Sequence, residues 1–283
     1  MVLTSALPMS NAASKKSLKL LWSQEFNGKK GTLPDKKVWS YDLGGGGWGN
    51  SERQFYTNKP TNISMNGSGQ LVINARRISN IYGEQLSEEP GTIEILDRCS
   101  ECQFTSSRIK TARKVSFMYG RIEARIKLPS GTGTWPAFWM LGGDLLDGVP
   151  WPECGEIDIM EYRGDYSDRS TSAIHGPNTP PGSGLGSAYL NYGPLSNDYH
   201  TFAIEWKKNT LTFYVDNRPH GTVSSTDLNG RWVFNQKFFL ILNLAMGGTY
   251  AGEFIDPELM SAELKVDYIR FYSINGVGKV FQN

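Results

Sequence analysis

Apolar and polar residues alternate with period two along most of this chain. The clearest run is residues 119–128 (YGRIEARIKL). Ile122, Ala124, Ile126 and Leu128 fall on one face, with Arg121, Glu123, Arg125 and Lys127 on the other. Strict alternation over that length predicts a half-buried strand. Residues 201–215 predict two strands, FAIEW and LTFYV, joined by a short turn at Lys208-Asn209. Residues 237–246 (KFFLILNLAM) are almost continuously apolar and predict a central strand buried on both faces. Residues 265–273 (KVDYIRFYS) predict a strong last strand, and others are expected at 18–26, 70–78, 103–111, 135–141, 155–163 and 170–175. Glycine- and proline-rich turns punctuate them, at 44–47, 130–133, 177–186 and 247–252. No segment holds a helical period, and residues 79–101 read as a long, polar, acidic surface loop. The fold class that follows is all-β, an antiparallel β-sandwich of the jelly-roll kind. Nothing splits it, so residues 18–275 are expected to form one domain. A disordered N-terminal tail (1–17) and a C-terminal tail (276–283) would flank it.

Composition narrows the function. The 283 residues are 39% hydrophobic and 20% charged with a net charge of +1, which gives no electrostatic footprint for nucleic acid or an anionic membrane. The basic run SKKSLK at 14–19 reads as a solvated tail. No stretch approaches the roughly 18 apolar residues of a membrane span. The N-terminus has no positive segment ahead of its weakly apolar residues, so it does not read as an intact signal peptide. Eight Trp, 13 Tyr and 13 Phe are more telling. Most would fill the core, but flat rings with one polar handle also suit a pyranose, which has an apolar face and a polar rim. Three cysteines, Cys99, Cys102 and Cys154, leave at least one thiol without an intramolecular partner. The C-x-x-C pair lacks the nearby histidines of a zinc site, so a disulfide in that loop is the better expectation.

Candidate chemistry concentrates in Gly155-Glu156-Ile157-Asp158-Ile159-Met160-Glu161. On a regular strand Glu156 and Asp158 share a face and Glu161 points to the other. One β-bulge near Ile159-Met160 would return Glu161 to their side. A retaining glycosidase needs two carboxyl groups about 5–5.5 Å apart, one as nucleophile and one as acid and then base. On a bent, concave strand the two long glutamates could lean together. Clustered negative charge would keep at least one acid protonated near neutral pH. The alternative is an acidic strand facing solvent. Trp135, Trp139 and Trp151 just upstream, and His175-Gly176 after the next strand, argue for a site instead.

The motif Glu156-Ile-Asp-Ile-Met-Glu161 resembles the E-x-D-x-x-E of glycoside hydrolase family 16, and the resemblance runs over about 20–273. It is closest to bacterial laminarinases, endo-β-1,3-glucanases. Trp48-Gly-Asn50-Ser-Glu52-Arg-Gln54-Phe-Tyr56-Thr57, Tyr119-Gly-Arg-Ile-Glu-Ala-Arg125, Trp135-Pro-Ala-Phe-Trp139, His175-Gly-Pro, Leu242-Asn243-Leu-Ala-Met-Gly-Gly248 and Val266-Asp267-Tyr-Ile-Arg-Phe-Tyr272 match in order. The resemblance implies a jelly roll with a concave cleft. It implies Glu156 as nucleophile, Asp158 as its assistant and Glu161 as general acid/base. Trp135 and Trp139 would line the cleft and Trp151 would border it. Asn50, Asn243 and Arg76 would bind sugar hydroxyls. His175 would sit beside the acids, or simply pack at a strand end. No cofactor is implied for catalysis. One structural calcium is expected on the convex side, at positions matching Glu25, Gly69 and Asp267. The implied partner is a neutral β-glucan, acted on outside the cell by a secreted monomer. The same site could serve a transglycosylase or an agarase-like galactan hydrolase. A non-catalytic glucan-binding protein fits less well, because all three acids are present.

Overall fold

The structure is a computed structural model that describes residues 16–282 except 81, 181 and 183. In the first third lie β1 (Leu18–Gln24), β2 (Ser40–Asp42), β3 (Gln54–Tyr56), β4 (Ile63–Met65), β5 (Leu71–Arg77) and α1 (Thr92–Arg98). Next come β6 (Phe104–Ser106), β7 (Arg108–Lys110), β8 (Val115–Met118), β9 (Gly120–Lys127), β10 (Thr134–Gly142) and β11 (Glu156–Tyr162). They are followed by β12 (Arg169–His175), β13 (Leu185–Leu190), β14 (Tyr199–Lys207), β15 (Thr210–Val215) and β16 (Arg218–Ser224). The last elements are β17 (Phe238–Met246), α2 (Gly248–Ala251), β18 (Ser261–Ile274) and β19 (Lys279–Gln282).

Among the described residues these strands form two sheets. The outer sheet runs β16-β15-β14-β9-β18-β5-β6-β3, with β1 on β18 and β4 on β5. The cleft sheet runs β13-β12-β11-β10-β17-β7-β2, with β8 on β17 and β19 on β8. All pairings are antiparallel except β3 with β6. The predicted alternation explains the packing. Ile122, Ala124 and Ile126 of β9 meet Phe138 and Met140 of β10 and Leu240, Leu242 and Leu244 of β17 in one buried core. Each Ile, Leu, Met or Phe among them contributes roughly 1.5–3 kcal/mol by leaving water, and Ala124 less. β17 is buried along its whole length, as its apolar run predicts.

Three expectations need correction. Residues 276–283 are not a free tail: β19 pairs with β8 after a turn in which Asn275, Gly276 and Gly278 all have positive φ. Four half-exposed residues are too few for alternation to register. The loop 79–101 carries α1, whose two turns are too short to show a period; its Ile95 packs with Phe55, Ile78 and the Cys99–Cys102 disulfide. The strand expected at 103–111 is two strands in different sheets, β6 in the outer and β7 in the cleft sheet. The chain crosses between them at buried Ser107, whose hydroxyl donates to the Thr57 carbonyl at 2.9 Å. Of the expected N-terminal tail, residues 1–15 lie outside the described residues. The Ser17 amide donates to Asn275 Oδ1 at 2.9 Å and the Lys16 ammonium pairs with Glu205.

Candidate active site

The site lies on the face of the cleft sheet turned away from the core. In β10, Phe138 and Met140 point into the core, so Trp135, Ala137, Trp139 and Leu141 line the cleft. β11 is paired so that Glu156 stands opposite Leu141, Asp158 opposite Trp139 and Glu161 opposite Ala137. The register slips by one residue between Asp158 and Glu161 against both neighbouring strands. Ile159 and Met160 are consecutive, yet both are buried in the main core. This is the expected bulge, and it brings all three acids into one cleft of about 380 Å³ with Asn50, Trp135, Trp139, Trp151 and Asn243.

Each acid is held differently. Glu161 Oε1 accepts a 2.9 Å hydrogen bond from the Trp135 indole N–H. Asp158 is 3% exposed. His175 Nε2 stands 3.2 Å from Asp158 Oδ2 and 3.9 Å from Glu156 Oε1. Asp158 Oδ2 has no hydrogen-bond partner of proper geometry, although the His175 ring stands beside it. Burial pushes the Glu156 carboxyl well above the usual carboxylate range, with Asp158 adding to it. Burial and then Glu161 raise Asp158 well above its ordinary value. Burial raises Glu161 too, against the opposing Trp135 hydrogen bond. Three crowded acids cannot all ionise at low cost, so the cluster retains a proton near neutrality.

Around them, Asn243 Oδ1 accepts from the Trp139 indole at 2.7 Å, and its amide donates to the Tyr56 hydroxyl at 3.2 Å. Trp151 is 51% exposed at the rim, its ring 6.1 Å from that of His175. Asn50 donates to Glu52 Oε1 at 3.2 Å.

Arg76 does not belong here. It lies on β5 of the outer sheet and is paired with Glu89. The cation in the cleft is Arg108, packed between Trp48 at 5.0 Å and Trp139 at 4.8 Å. Arg108 opens β7, where the sheet crossing at Ser107 aims it; alternation alone could not reveal that. Glu52 was also missed as a site residue. It is buried in the cleft wall, where it accepts hydrogen bonds from Gln54 and Tyr56 as well as Asn50. The even spacing of Glu52, Gln54 and Tyr56 was the available signal.

The three residues expected at a calcium lie together on the outer sheet. β18 leaves β5 at Val266 and takes up β1 at Ile269, and Asp267 is the bulged residue in that gap. Glu25 follows β1 and Gly69 precedes β5, so both border the same gap. The carboxylates are committed elsewhere: Glu25 chelates Arg270 at 2.9 and 2.8 Å, and Asp267 pairs with Arg125 at 2.8 Å. A hard cation at this gap would therefore have to be held by main-chain carbonyls rather than by these side chains. Zinc at the C-x-x-C pair is ruled out, since Cys99 and Cys102 are bonded to each other; Cys154 is a buried free thiol.

The sequence profile of "Glycosyl hydrolases family 16" matches residues 50–270. A β-glucanase of Rhodothermus marinus is 38% identical over 263 residues, covering 89% of this chain and 84% of that protein. The laminarinase catalytic domain of Thermotoga maritima superposes with a TM-score of 0.77 at 38% identity, over 90% of this chain and 98% of that one. The endo-β-1,3-glucanase of Pyrococcus furiosus superposes with a TM-score of 0.79 at 36% identity, over 92% and 96%.

Proposed function

The chain belongs to glycosyl hydrolases family 16, and from that premise we propose that it cleaves β-1,3-glucosidic bonds within laminarin-type glucans, keeping the anomeric configuration. The observation that carries the reading is the bulge in β11, which gathers Glu156, Asp158 and Glu161 in one aromatic cleft.

In the first step protonated Glu161 gives its proton to the glycosidic oxygen while the Glu156 carboxylate attacks the anomeric carbon. The C–O bond to the leaving sugar breaks and a glycosyl ester forms on Glu156. Glu161, now a carboxylate, takes a proton from water; the hydroxide attacks the same carbon and Glu156 is released. Burial raises both glutamates, so the proton that the crowded cluster retains can sit on Glu161, while the charge of Arg108 favours the ionised form of Glu156. The Trp135 indole holds it in place and stabilises the anion it becomes. Asp158 and His175 set the charge facing the nucleophile, so His175 acts beside the acids as well as ending β12. Trp139 and Trp151 offer apolar ring faces, while Asn50, Asn243 and Arg108 offer donors to sugar hydroxyls. These residues suffice for the chemistry with no cofactor.

Purified protein tested on laminarin, lichenan, agarose and carrageenan should release reducing sugar from laminarin above all. Glu156→Gln should abolish release while preserving the melting temperature. Preferred cleavage of a galactan would overturn the substrate reading, and undiminished release by the variant would overturn the site. Longer oligosaccharides by mass spectrometry would mark a transglycosylase instead.

Three further points belong to the same proposal. The cleft is built from one chain, which supports a monomer; light scattering tests it. A disulfide at Cys99–Cys102 and a polymeric substrate support action outside the cell, and assay of the producing organism's culture fluid tests that. A structural calcium is held at Glu25, Gly69 and Asp267 through main-chain carbonyls; thermal melting with and without chelator tests it.

A further inference from the structure

The bulge that gathers the acids is anchored from the side away from the cleft. Ile159 has no register partner on β10 or on β12. On β12 the single residue Ser172, between Thr171 and Ala173, stands against both Ile159 and Met160. Ser172 is buried, and its hydroxyl donates to the Ile159 carbonyl at 2.8 Å. Its oxygen lies 3.4 Å from His220 Nε2 of β16, and His220 Nδ1 lies 3.0 Å from the Ser187 hydroxyl of β13. β16 belongs to the outer sheet, so this contact bridges the two sheets. His220 is itself the extra residue of a bulge: against β15, Gly221 pairs with Phe213 and Pro219 with Tyr214. A Cβ on Gly221 would come 2.6 Å from that of Ser187, so glycine there permits the close approach of β16 to β13. The Phe213 and Tyr189 rings flank the imidazole at 6.1 and 5.9 Å.

We propose that Ser172 and His220 are positioning residues that fix the β11 bulge, and with it the reach of Glu161 toward the glycosidic oxygen. The proposal rests on the glucanase reading above. Each donor in the chain of hydrogen bonds is determined. Ser172 spends its proton on Ile159, so its oxygen can only accept, and His220 must carry its proton on Nε2. Nδ1 then accepts from the Ser187 hydroxyl. Burial pushes the imidazole down to about 4, which keeps the ring in this neutral form at neutral pH. A bulge disrupts the ladder locally, and a buried carbonyl left without a donor costs stability. The Ser172 hydroxyl supplies a donor at the bulge itself, which favours the extra residue where it now lies. Glu161 follows two residues later and takes its direction from that point. A displacement of about 1 Å is enough to weaken proton transfer to the leaving oxygen.

The test separates the acid from the nucleophile. A sugar leaving group needs the proton of Glu161; a dinitrophenolate leaves without it, and its departure needs Glu156 alone. Ser172→Ala and His220→Phe should each lower kcat/KM on laminarihexaose about tenfold, and leave it within about twofold on dinitrophenyl β-laminaribioside. His220→Gln, which keeps an N–H donor near the Nε2 position, should recover most of the loss. Equal losses on both substrates would mean a general loosening of the sheets and overturn the proposal. No loss on laminarihexaose would overturn it too, as would a His220→Gln protein as impaired as His220→Phe. Ser172→Ala removes a single oxygen, so it decides the matter if the histidine variants do not fold. If the wild-type protein cleaves neither substrate, the glucanase reading itself fails, and that outcome is distinct from the others.

Discussion

Asp158 carries the most conflicted charge in the site. It is buried, its Oδ2 lacks a hydrogen-bond partner, and Glu161 pushes against its ionisation. The sign of the consequence follows from linkage. Below the ordinary aspartate value both folded and unfolded chains hold the proton, and the group costs nothing. As pH rises the unfolded chain releases it first, so stability falls and the penalty is complete above the raised folded value. Asp158→Asn removes that penalty. At pH 7 the variant should melt about 3–10 °C higher than the parent, since each kcal/mol is worth about 2–4 °C at this size. The gap should close as pH falls toward the ordinary aspartate range. Its kcat should fall about tenfold or more, the usual exchange of activity for stability at such sites. Melting curves across pH decide it: a gap that persists in acid would mean the gain came from packing instead.

At the scale of elements, function depends on the phase of β11. One extra residue sends Ile159 and Met160 both to the core and turns Glu161 back to the cleft. Phase is a parity, so adding or removing one residue alters the facing of Glu161 in the same way, and the two changes differ only in how far along the strand they place it. Deleting Met160 gives a regular strand with acids at alternate positions, all still facing the cleft. That variant should fold with a loss of about 2–5 kcal/mol from the missing core side chain, and should keep measurable activity on laminarin. Inserting one alanine between Ile159 and Met160 also gives a regular strand, with Glu156, Asp158, the new alanine and Glu161 on the cleft side and Met160 and Tyr162 in the core. It carries Glu161 two residues further from Glu156 than the deletion does, about 6–7 Å at about 3.3 Å per residue, too far for both to reach one sugar, so it should lose activity. An active insertion variant would show that spacing along β11 does not set the site. The same reasoning shows what the sequence makes legible. Alternation in β9, continuous burial in β17 and the acid spacing in β11 are local signals. The crossing at Ser107 is not, because it changes the sheet without changing the pattern; Arg108 was therefore missed and Arg76, on the wrong sheet, stood in its place.

Across the whole molecule the two sheets divide the labour. The cleft sheet concentrates buried acids that cost stability, while the outer sheet supplies the alternating strands against which it packs. The outer sheet's ladder is interrupted where β18 passes from β5 to β1 around Asp267. Three segments remote in sequence meet there, at Glu25, Gly69 and Asp267, and a calcium bound to their carbonyls would tie them in the folded state alone. Such a ligand stabilises by mass action, about 2.7 kcal/mol at a hundred times its dissociation constant. Adding calcium to chelator-stripped protein should then raise Tm by roughly 5–10 °C. Because the gap and the acids are on different sheets, kcat on laminarin at 25 °C should not change. Calorimetry with calcium, with magnesium and with chelator makes the comparison. Magnesium should do less, since it demands rigid octahedral geometry that a loose set of carbonyls does not supply. A Tm indifferent to calcium would leave the gap as a simple hand-over between strands, closed by the Glu25–Arg270 and Asp267–Arg125 ion pairs. Calcium altering kcat without altering Tm would place the ion among Glu156, Asp158 and His175 instead.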